Sequence, residues 1–234
     1  MKKYFGTDGI RGIPNINLTN EIISKISSSV EKVLKPTSVA VILDTRNSSL
    51  EILNWICEGF SENIEVVNYG VLPSGSMPIL LKHFGHNLGI IISASHNPSE
   101  YNGIKLIDEN GSKLQDNIEI EIESYFENIE VPKAHTSFKD SEDGYKVYYE
   151  FLSELFDFDI TNFNIVIDSA YGSAYKIIDH LLSENKSKFS MIANTPDGEN
   201  INFESGATYT NNLISILKKG QIGAAFDGDA DRLI

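Results

Sequence analysis

The sequence predicts two successive α/β domains with mixed, mainly parallel sheets. Short β-branched apolar runs alternate with amphipathic helical stretches, a polar segment interrupts this alternation near the middle, and the alternation then resumes. A chain of 234 residues is long enough for one large domain or two ordinary ones. We therefore expect the first domain at residues 1–144 and the second at residues 145–234.

The first domain contains a predicted β-α-β-α-β unit. SVAVILD, residues 38–44, is apolar enough for a buried strand. A helix is predicted over residues 49–62, where apolar residues recur at helical spacing, and the single Cys57 lies on that apolar face as a core residue. The strand IEVVNYG, a helical stretch around PILLKHF and the strand LGIIISAS follow. The unit therefore ends at Ser95.

Beyond this unit, the first domain is predicted to continue with a hairpin and a helix. GIKLIDENGSKL indicates two strands joined at Glu109, Asn110 and Gly111, because Asn-Gly is a strong hairpin-turn signal. Residues 116–127 form an acidic amphipathic helix pattern. Residues 128–144 have little apolar periodicity but contain proline, glycine and charges, which favours a domain boundary near their end.

The second domain is predicted to be a further α/β unit that is incomplete. Its predicted elements are helix 145–157, strand FNIVIDSA, helix 174–184, strand FSMIAN, loop 194–210, helix 211–219 and strand IGAAFDG. The chain stops two residues after Arg232, before another strand could return to the sheet. We expect a truncated protein.

Composition favours a cytoplasmic protein without nucleic-acid or membrane partners. The 19 basic and 33 acidic residues give a net charge of −14, which disfavours sequence-independent attraction to DNA or RNA. The sequence has neither an apolar run of about 18 residues nor a basic and apolar signal at its start. One cysteine excludes a disulfide framework and a cysteine-based zinc site.

A serine follows the apolar strand LGIII in the motif SASHNP. Ligands of open α/β sheets gather at the carboxyl ends of strands, so we expect the hydroxyl of Ser95 to face a cleft. Pro98 disfavours the helical conformation at Asn97 and so keeps Ser95 and His96 on a loop. The motif is also typical of an ordinary turn, and no G-x-S-x-G elbow supports a serine hydrolase.

Three carboxylates follow the last predicted strand in the motif DGDADR. In an extended stretch Asp227, Asp229 and Asp231 would face one side. Like charges this close favour a cation, and an oxygen-only ligand set favours Mg²⁺ over zinc or copper. A solvated acidic turn is the alternative. A calcium-binding EF-hand loop is excluded, because Arg232 occupies its glycine position and the later glutamate is missing.

Two weaker motifs could add phosphate ligands. In FGTDGIRG, glycines such as Gly9 can expose backbone N–H groups, Thr7 offers a hydroxyl and Arg11 offers a bidentate fork. In YNGIK, Lys105 can return to the cleft of Ser95. A plain turn and a surface lysine are the alternative interpretations.

Together and in this order, FGTDGIRG, ISASHNP, NGIK and DGDADR resemble the α-D-phosphohexomutase superfamily. Its members move a phosphate between the 1 and 6 positions of a hexose. The match spans the chain from Phe5 to Arg232, and it implies that the two domains are of the phosphohexomutase type. PDGENIN and SGAT look most like the bacterial phosphoglucosamine mutase branch, whereas phosphomannomutases and phosphoglucomutases usually differ there.

The resemblance implies a phosphoserine and a magnesium site. Ser95 matches the phosphoserine, and its phosphate would join Asp227, Asp229 and Asp231 in holding Mg²⁺. Catalytic roles are implied for Ser95, His96, Lys105 and Arg11, with Lys105 or His96 able to carry the hydroxyl proton. The implied binding residues for substrate and phosphate are Thr7, Asp8, Gly9, Asn97 and Arg232.

The implied reaction converts glucosamine 6-phosphate into glucosamine 1-phosphate through a 1,6-bisphosphate. Three departures from the family pattern stand out: Ala230 replaces a glycine of the metal loop, Tyr101 replaces a common aspartate, and Ser76-Met77-Pro78 replaces a Thr-Pro pair. Family members continue for about as long again, so we expect little turnover from this chain alone. A phosphomannomutase or phosphoglucomutase is one alternative. Another is an inactive magnesium-binding fragment that pairs with a separate C-terminal half.

Overall fold

The computed structural model describes residues 2–155, 160–184 and 188–234. The strands are β1 (Ile10–Gly12), β2 (Ser38–Leu43), β3 (Glu65–Val71), β4 (Leu88–Ile92), β5 (Asn102–Asp108), β6 (Phe138–Asp140), β7 (Asn164–Asp168), β8 (Lys188–Ile192) and β9 (Ile222–Ala225). The helices are α1 (Asn20–Leu34), α2 (Ser49–Gly59), α3 (Met77–Phe84), α4 (Asp116–Tyr125), α5 (Asp143–Leu155), α6 (Tyr175–Glu184) and α7 (Asn211–Ile216). A short 3₁₀ turn at Ser74–Ser76 precedes α3.

The described strands form two sheets, which confirms the predicted α/β class. The first has six strands in the order β1-β5-β4-β2-β3-β6, and the second has three in the order β8-β7-β9. In the first sheet β2 runs parallel to β3 and β4, while β5 is antiparallel to β4 and β1 is antiparallel to β5. In the second sheet β7 runs parallel to both neighbours. The first sheet is thus mixed, and parallel pairing dominates overall.

The centre of the first sheet is buried on both faces. Val39, Val41 and Leu43 of β2 pack in a core with α1, α2 and α4, whereas Ala40 and Ile42 pack in a second core with α3. Successive strand residues point to opposite faces, so a strand covered by helices on both sides has to be apolar at every position. This is why the sequence of β2 shows no alternation of apolar and polar residues.

Helix α5 joins the two sheets. It contacts α3 and β3 on one side and α6 on the other. Tyr148 of α5 and Ile177 of α6 lie in the same buried core as Met77 of α3. The predicted boundary between residues 144 and 145 falls within the first turn of α5, and it stays a prediction.

Several elements differ from the sequence prediction. Strand β6 pairs with β3 inside the stretch 128–144, whose polar composition masks a strand of three residues. Helix α1 lies outside the predicted elements, because the serines between its apolar positions weaken the helical pattern; three of them, Ser27–Ser29, donate to backbone carbonyls four residues earlier. The second hairpin strand is reduced to one bridge between Ile107 and Lys113, although Gly111 makes the turn with φ 82°.

Two predicted helices of the second domain also change at their ends. The helix expected over 145–157 begins at Asp143, and its residues 156 and 157 lie outside the described residues. The helix expected over 211–219 ends at Ile216, because Leu217 adopts an extended conformation. None of the described helices combines the length and apolar character needed to cross a membrane.

The last residues of the chain return to the second sheet. Leu233 bridges Phe226 in antiparallel orientation, and Ile234 exchanges backbone hydrogen bonds of 2.9 and 2.8 Å with Ala225. The expectation that nothing returns to the sheet after Arg232 is therefore wrong for this edge of β9. The turn through residues 227–231 reverses the chain and makes this pairing possible.

Candidate active site

Ser95 lies on the loop that follows β4 and is held in an unusual backbone conformation. Its φ is 51°, in the left-handed region that residues with a β-carbon seldom adopt. Its N–H donates to Ser93 Oγ at 2.8 Å, and its own Oγ donates to Asp227 Oδ2 at 2.7 Å. The side chain is fully buried, so the expected exposure to a cleft is wrong. The turn at Gly228 covers it: a β-carbon there would lie 2.6 Å from the Ser95 carbonyl oxygen.

The three aspartates of the DGDADR motif converge through a turn. Ala230, inside this turn, has φ 59°, and its N–H donates to the carbonyl of Asp227 at 3.0 Å. An oxygen of each carboxylate lies within 4.8 Å of one from both others. The expected extended arrangement is therefore wrong, but the expected clustering of Asp227, Asp229 and Asp231 is found. The first two are buried and Asp231 is exposed.

Burial and neighbouring charges shift the pKa values of the two buried aspartates in opposite directions. Burial raises the pKa of Asp227 to about 6, and the charges of Asp229 and Asp231 also raise it. The hydrogen bond from Ser95 opposes these effects and lowers the pKa. Burial alone would also raise the pKa of Asp229. The ammonium group of Lys105 and its hydrogen bond more than offset this, so the pKa of Asp229 is lowered.

Lys105 is buried among three carboxylates. Its Nζ lies 2.8 Å from Asp229 Oδ2, 3.2 Å from Asp231 Oδ2 and 3.2 Å from Asp8 Oδ2. Burial alone would lower the pKa of Lys105, but the three carboxylates outweigh it and raise the pKa above its ordinary value. The lysine is therefore an ammonium at neutral pH. The surface-lysine alternative is wrong.

The N-terminal loop approaches the same site. Arg11 donates to the carboxylate of Asp8 and, at 3.3 Å, to Asn97 Oδ1. Gly9 has φ 83°, and a β-carbon there would clash with the carbonyl oxygen of Ile104. The glycine therefore allows the loop to pack closely against β5. Thr7 is exposed, and its carbonyl accepts a 2.6 Å hydrogen bond from Lys113.

His96 and Arg232 complete the set of residues identified from sequence. Burial lowers the pKa of His96, and the positive charges of Arg232 and Arg11 add to this effect. The Nε of Arg232 lies 3.9 Å from both Asp227 Oδ2 and Asp231 Oδ1, and its backbone N–H donates to Asp227 Oδ1 at 3.2 Å. The structure thus brings the serine loop, the acidic turn, the N-terminal loop and Lys105 together at one place.

Residues 2–133 match the family of phosphoglucomutase/phosphomannomutase, alpha/beta/alpha domain I. This is more than half of the chain. The chain belongs to that family. The membership confirms the resemblance carried by the FGTDGIRG, ISASHNP and NGIK motifs, all of which lie within the matched residues.

Curated relatives of the chain extend the match beyond this first domain. The phosphoglucosamine mutase of Alkaliphilus oremlandii is 38% identical over 248 aligned residues, and that of Clostridioides difficile strain 630 is 34% identical over 247. Each alignment covers 100% of this chain and 55% of the relative. The chain therefore spans about half the length of these relatives.

Solved structures of the phosphohexomutase type have the same fold. A phosphoglucomutase/phosphomannomutase family protein of Burkholderia thailandensis superposes with a TM-score of 0.80 at 21% identity, covering 100% of this chain and 54% of the other. Parafusin, a phosphoglucomutase of Paramecium, gives a TM-score of 0.74 at 21% identity, with coverages of 98% and 52%. At this identity the likeness shows the fold alone.

Four polar residues that the sequence patterns do not reveal also contact the residues of this candidate site. Arg46 and its ion-pair partner Asp44 follow β2 and contact the serine loop, Ser74 donates to Asp229 Oδ2 at 2.8 Å, and Asn202 donates to the carbonyl of Ser95 at 2.8 Å. A signal for the first two exists. They follow a buried parallel strand beside β4, and ligand sites lie at that edge of a sheet.

The residues present fit the cation that the phosphohexomutase resemblance implies. Asp229 Oδ1 is buried, and no hydrogen-bond partner for it lies within the described residues. A buried, unpaired carboxylate oxygen is costly unless a ligand satisfies it. The surrounding donor set consists of carboxylate and hydroxyl oxygens, which suits a hard divalent cation such as Mg²⁺. His96 Nδ1 and Arg11 Nε lack partners within the same described ranges.

Proposed function

We propose that this chain performs the phosphoryl-transfer chemistry of a phosphoglucosamine mutase, with Ser95 as the residue that donates and recovers the phosphate. The observation that carries this proposal is the 2.7 Å hydrogen bond from Ser95 Oγ to Asp227 Oδ2, beside the other two aspartates and Lys105. Phosphoryl transfer depends mainly on positioning and on neutralising charge. The hydrogen bond to Asp227 supports the positioning of this hydroxyl, and Lys105 with a cation held by the three aspartates would neutralise charge beside it.

The role of each group follows from its charge and position. Asp227, Asp229, Asp231 and the phosphate on Ser95 would hold Mg²⁺, which when bound supplies positive charge to the transferring phosphoryl group. Lys105 adds an ammonium at the same place.

Arg11 and Arg232 carry guanidinium groups suited to phosphate oxygens. The half-exposed Arg232 can reorient towards a phosphate, since its Nε is 3.9 Å from the nearest carboxylate oxygens. Asp8 and Asn97 contact Arg11, and we propose that these two residues, with Thr7 and Gly9, bind the substrate or its phosphate.

In the proposed cycle, the bond between phosphorus and Ser95 Oγ breaks while a bond to a sugar hydroxyl oxygen forms. The sugar hydroxyl loses its proton, and His96, whose lowered pKa leaves its imidazole neutral, is the candidate to accept it, whereas Lys105 is already an ammonium. Glucosamine 6-phosphate thereby becomes the 1,6-bisphosphate. After the sugar turns over, the 6-phosphate returns to Ser95 and glucosamine 1-phosphate leaves.

Support for a hexosamine phosphate as substrate comes from the relatives that are named phosphoglucosamine mutases. The segments PDGENIN and SGAT support the same choice. The alternative is a phosphomannomutase or phosphoglucomutase, because a phosphoglucomutase/phosphomannomutase protein has the same fold. We place the reaction in the cytoplasm on the composition of the chain.

A further polypeptide half is part of the proposal. The site residues described above serve the phosphate that is transferred, while the sugar hydroxyls and the second phosphate need donors of their own. Binding energy from remote parts of a substrate raises the rate as well as the affinity. We therefore expect the 234-residue chain to accept a phosphate on Ser95 but to turn over slowly by itself.

The test measures phosphorylation and turnover separately. The purified chain is incubated with Mg²⁺ and the 1,6-bisphosphate of glucosamine, glucose or mannose, and intact-mass spectrometry follows the gain of one phosphate. The preferred donor distinguishes the two mutase hypotheses. Magnesium binding without phosphate uptake from any donor would support the inactive-fragment alternative. Formation of glucosamine 1-phosphate at the rate of a full-length relative would contradict the need for a further half.

A further inference from the structure

Two carbonyl groups of the serine loop each accept hydrogen bonds from two different side chains. The carbonyl of Ser95 accepts from Arg46 Nη2 at 3.1 Å and from Asn202 Nδ2 at 2.8 Å. The carbonyl of Asn97 accepts from the same two nitrogen atoms at 2.8 and 3.0 Å. Arg46 follows β2 of the first sheet, whereas Asn202 lies in the loop between β8 and α7 of the second. Side chains that follow strands of both sheets therefore hold the same two carbonyl groups.

Other contacts hold the side chain of Arg46 in position, in addition to those that it makes with the serine loop. It is fully buried, and its Nε donates to Asp44 Oδ2 at 2.9 Å. That carboxylate oxygen also accepts from Ser93 Oγ at 2.7 Å. The Nη1 atom of Arg46 donates to the carbonyls of Tyr101, at 2.9 Å, and Pro98. One guanidinium thus spans the loop from Ser95 to Tyr101, which the shorter lysine side chain with its single nitrogen cannot do.

Asn202 is held just as firmly from the other side. Its φ is 61°, a conformation that asparagine tolerates better than most residues, and its backbone N–H donates to the carbonyl of Ala170 at 2.8 Å. A β-carbon at Gly228 would lie 2.9 Å from Asn202 Nδ2. The acidic turn therefore packs directly on this side chain.

We propose that Arg46 and Asn202 are positioning residues that hold Ser95 in its left-handed conformation and so direct its hydroxyl at Asp227. A serine at φ 51° is strained and persists only where surrounding contacts determine its conformation. Within the described residues, the hydrogen bonds that both side chains make with Ser95 go to its carbonyl, while its Oγ donates to Asp227, so both act through the backbone. This inference rests on the proposed function for its catalytic consequence, but the structural consequence can be measured without it.

The structural arm uses amide hydrogen exchange of residues 93–101. Asn202→Asp keeps the shape and the tolerance for positive φ, but places a carboxylate oxygen against two carbonyls. Asn202→Gly removes the donor without adding charge. The matched control is Asn212→Asp, because Asn212 also donates to a carbonyl, that of Glu204 at 2.7 Å, away from Ser95. We expect faster exchange of the serine loop in both Asn202 variants and wild-type exchange in the control.

The kinetic arm measures phosphate transfer from the bisphosphate to Ser95 in the same proteins. The maximal rate should fall by about tenfold or more in both Asn202 variants, because a misdirected nucleophile loses its near-attack geometry. The half-saturating bisphosphate concentration should change little, since neither variant removes a phosphate ligand. Arg46→Lys should give the same pattern. Its effect should be less than additive with that of Asn202→Gly, because both act on the same carbonyls.

The two arms separate the failure of this inference from the failure of the proposed function. A wild-type chain that takes no phosphate overturns the proposed function, and the exchange data still decide the positioning role. Wild-type loop exchange in both Asn202 variants, or a loss of transfer equal to that in Asn212→Asp, overturns the inference. A fall in melting temperature without faster loop exchange points to a structural role alone and also overturns it.

Discussion

Ser95 Oγ and Asp227 Oδ2 lie 2.7 Å apart although 132 positions of the chain separate the two residues. Ser95 follows β4 of the first sheet, and Asp227 follows β9 of the second. The carboxyl ends of strands from both sheets therefore meet at one place. Helix α5 packs against α3 and β3 on the side of the first sheet and against α6 on the side of the second, and the contact between Ser95 and Asp227 requires the two sheets to stay docked.

We expect Ser95 to be the residue that is phosphorylated, because its hydroxyl donates to Asp227 and its loop resembles the phosphoserine loop of the family. Ser74, which donates to Asp229, lies outside that motif. In Ser95→Ala the mass increase seen with a hexose 1,6-bisphosphate should disappear. Ser99→Ala, in the same loop, should keep it. Peptide mapping that finds the phosphate in the Ser95→Ala protein would refute this assignment.

Magnesium affinity should depend on the acidic turn. Asp229→Asn replaces a buried oxygen that has no partner within the described residues. Loss of an outer-shell partner of a metal typically weakens binding by about 10-fold to 100-fold, and loss of a direct ligand should weaken it at least as much. Isothermal titration calorimetry measures the affinity, and the control is Asp179→Asn, which replaces an exposed aspartate on α6. Equal affinities in the two variants would disprove the site.

Ala230 should be a source of strain in the acidic turn. Its φ of 59° places the β-carbon near its own carbonyl oxygen, at a cost of about 1–2 kcal/mol that glycine does not incur. Because glycine also loses more entropy on folding, we expect Ala230→Gly to raise the free energy of unfolding by a few tenths to about 1 kcal/mol. Ala224→Gly, the same change in strand β9, should lower the free energy of unfolding. Urea unfolding of both variants measures the difference, and an Ala230→Gly protein less stable than wild type would contradict the strain.

The sequence predicts the parts of the site that follow apolar strands. The strands before Ser95 and Asp227 are visible as apolar runs, although only β4 is buried along its whole length, and the motifs after them are short. Arg46 and Asn202 could not be placed in the same way, because their hydrogen bonds to the Ser95 carbonyl span 49 and 107 positions of the chain. Local patterns carry no information about which backbone groups such side chains meet. The left-handed conformation of Ser95 is likewise imposed by these distant contacts.

Stability should depend on the neutral state of His86. Its Nδ1 lies 2.6 Å from Ser38 Oγ and its Nε2 lies 2.7 Å from Tyr69 Oη, so the buried ring is held by two hydroxyls. Burial lowers the pKa of His86, against an opposing effect of the Glu65 charge. The unfolded chain, with a histidine pKa of about 6.5, therefore binds a proton before the folded chain does. This contribution to stability is complete above about pH 6.5 and is lost as the pH falls below it.

The measurement is the free energy of unfolding from pH 7.5 to 5.5 for wild type and His86→Gln. The difference between the two proteins should shrink towards low pH, because only the wild-type ring titrates. Other groups, such as Asp227 with its raised pKa, titrate in both proteins and cancel in the difference. The control is His83→Gln, which replaces an exposed histidine near the end of α3. A pH-independent gap for His86→Gln would show that the histidine is not held neutral.

The ammonium of Lys105 should replace part of the positive charge that a cation brings to the site. It contacts Asp229 and Asp231 directly, and these carboxylates raise its pKa. In Lys105→Gln the buried carboxylates lose this charge, and removing one partner of a buried ion pair costs about 3–5 kcal/mol. Protonation of Asp229 limits that loss, so the lower end of the range is expected. Added Mg²⁺ stabilises whichever protein binds it, by an amount that grows with affinity.

Without a competing ammonium, the carboxylates of the Lys105→Gln protein should bind Mg²⁺ more tightly than those of wild type. Mg²⁺ should therefore raise the melting temperature of this variant by more than that of wild type. Lys113→Gln is the matched control, because Lys113 contacts the buried Glu119 at 3.3 Å while Lys2 keeps that carboxylate paired at 2.6 Å. Its magnesium response should equal that of wild type. Scanning calorimetry in chelator and in Mg²⁺ compares the three proteins. If Mg²⁺ raises the melting temperature of Lys105→Gln less than that of wild type, the lysine helps to build the cation site rather than competing with it.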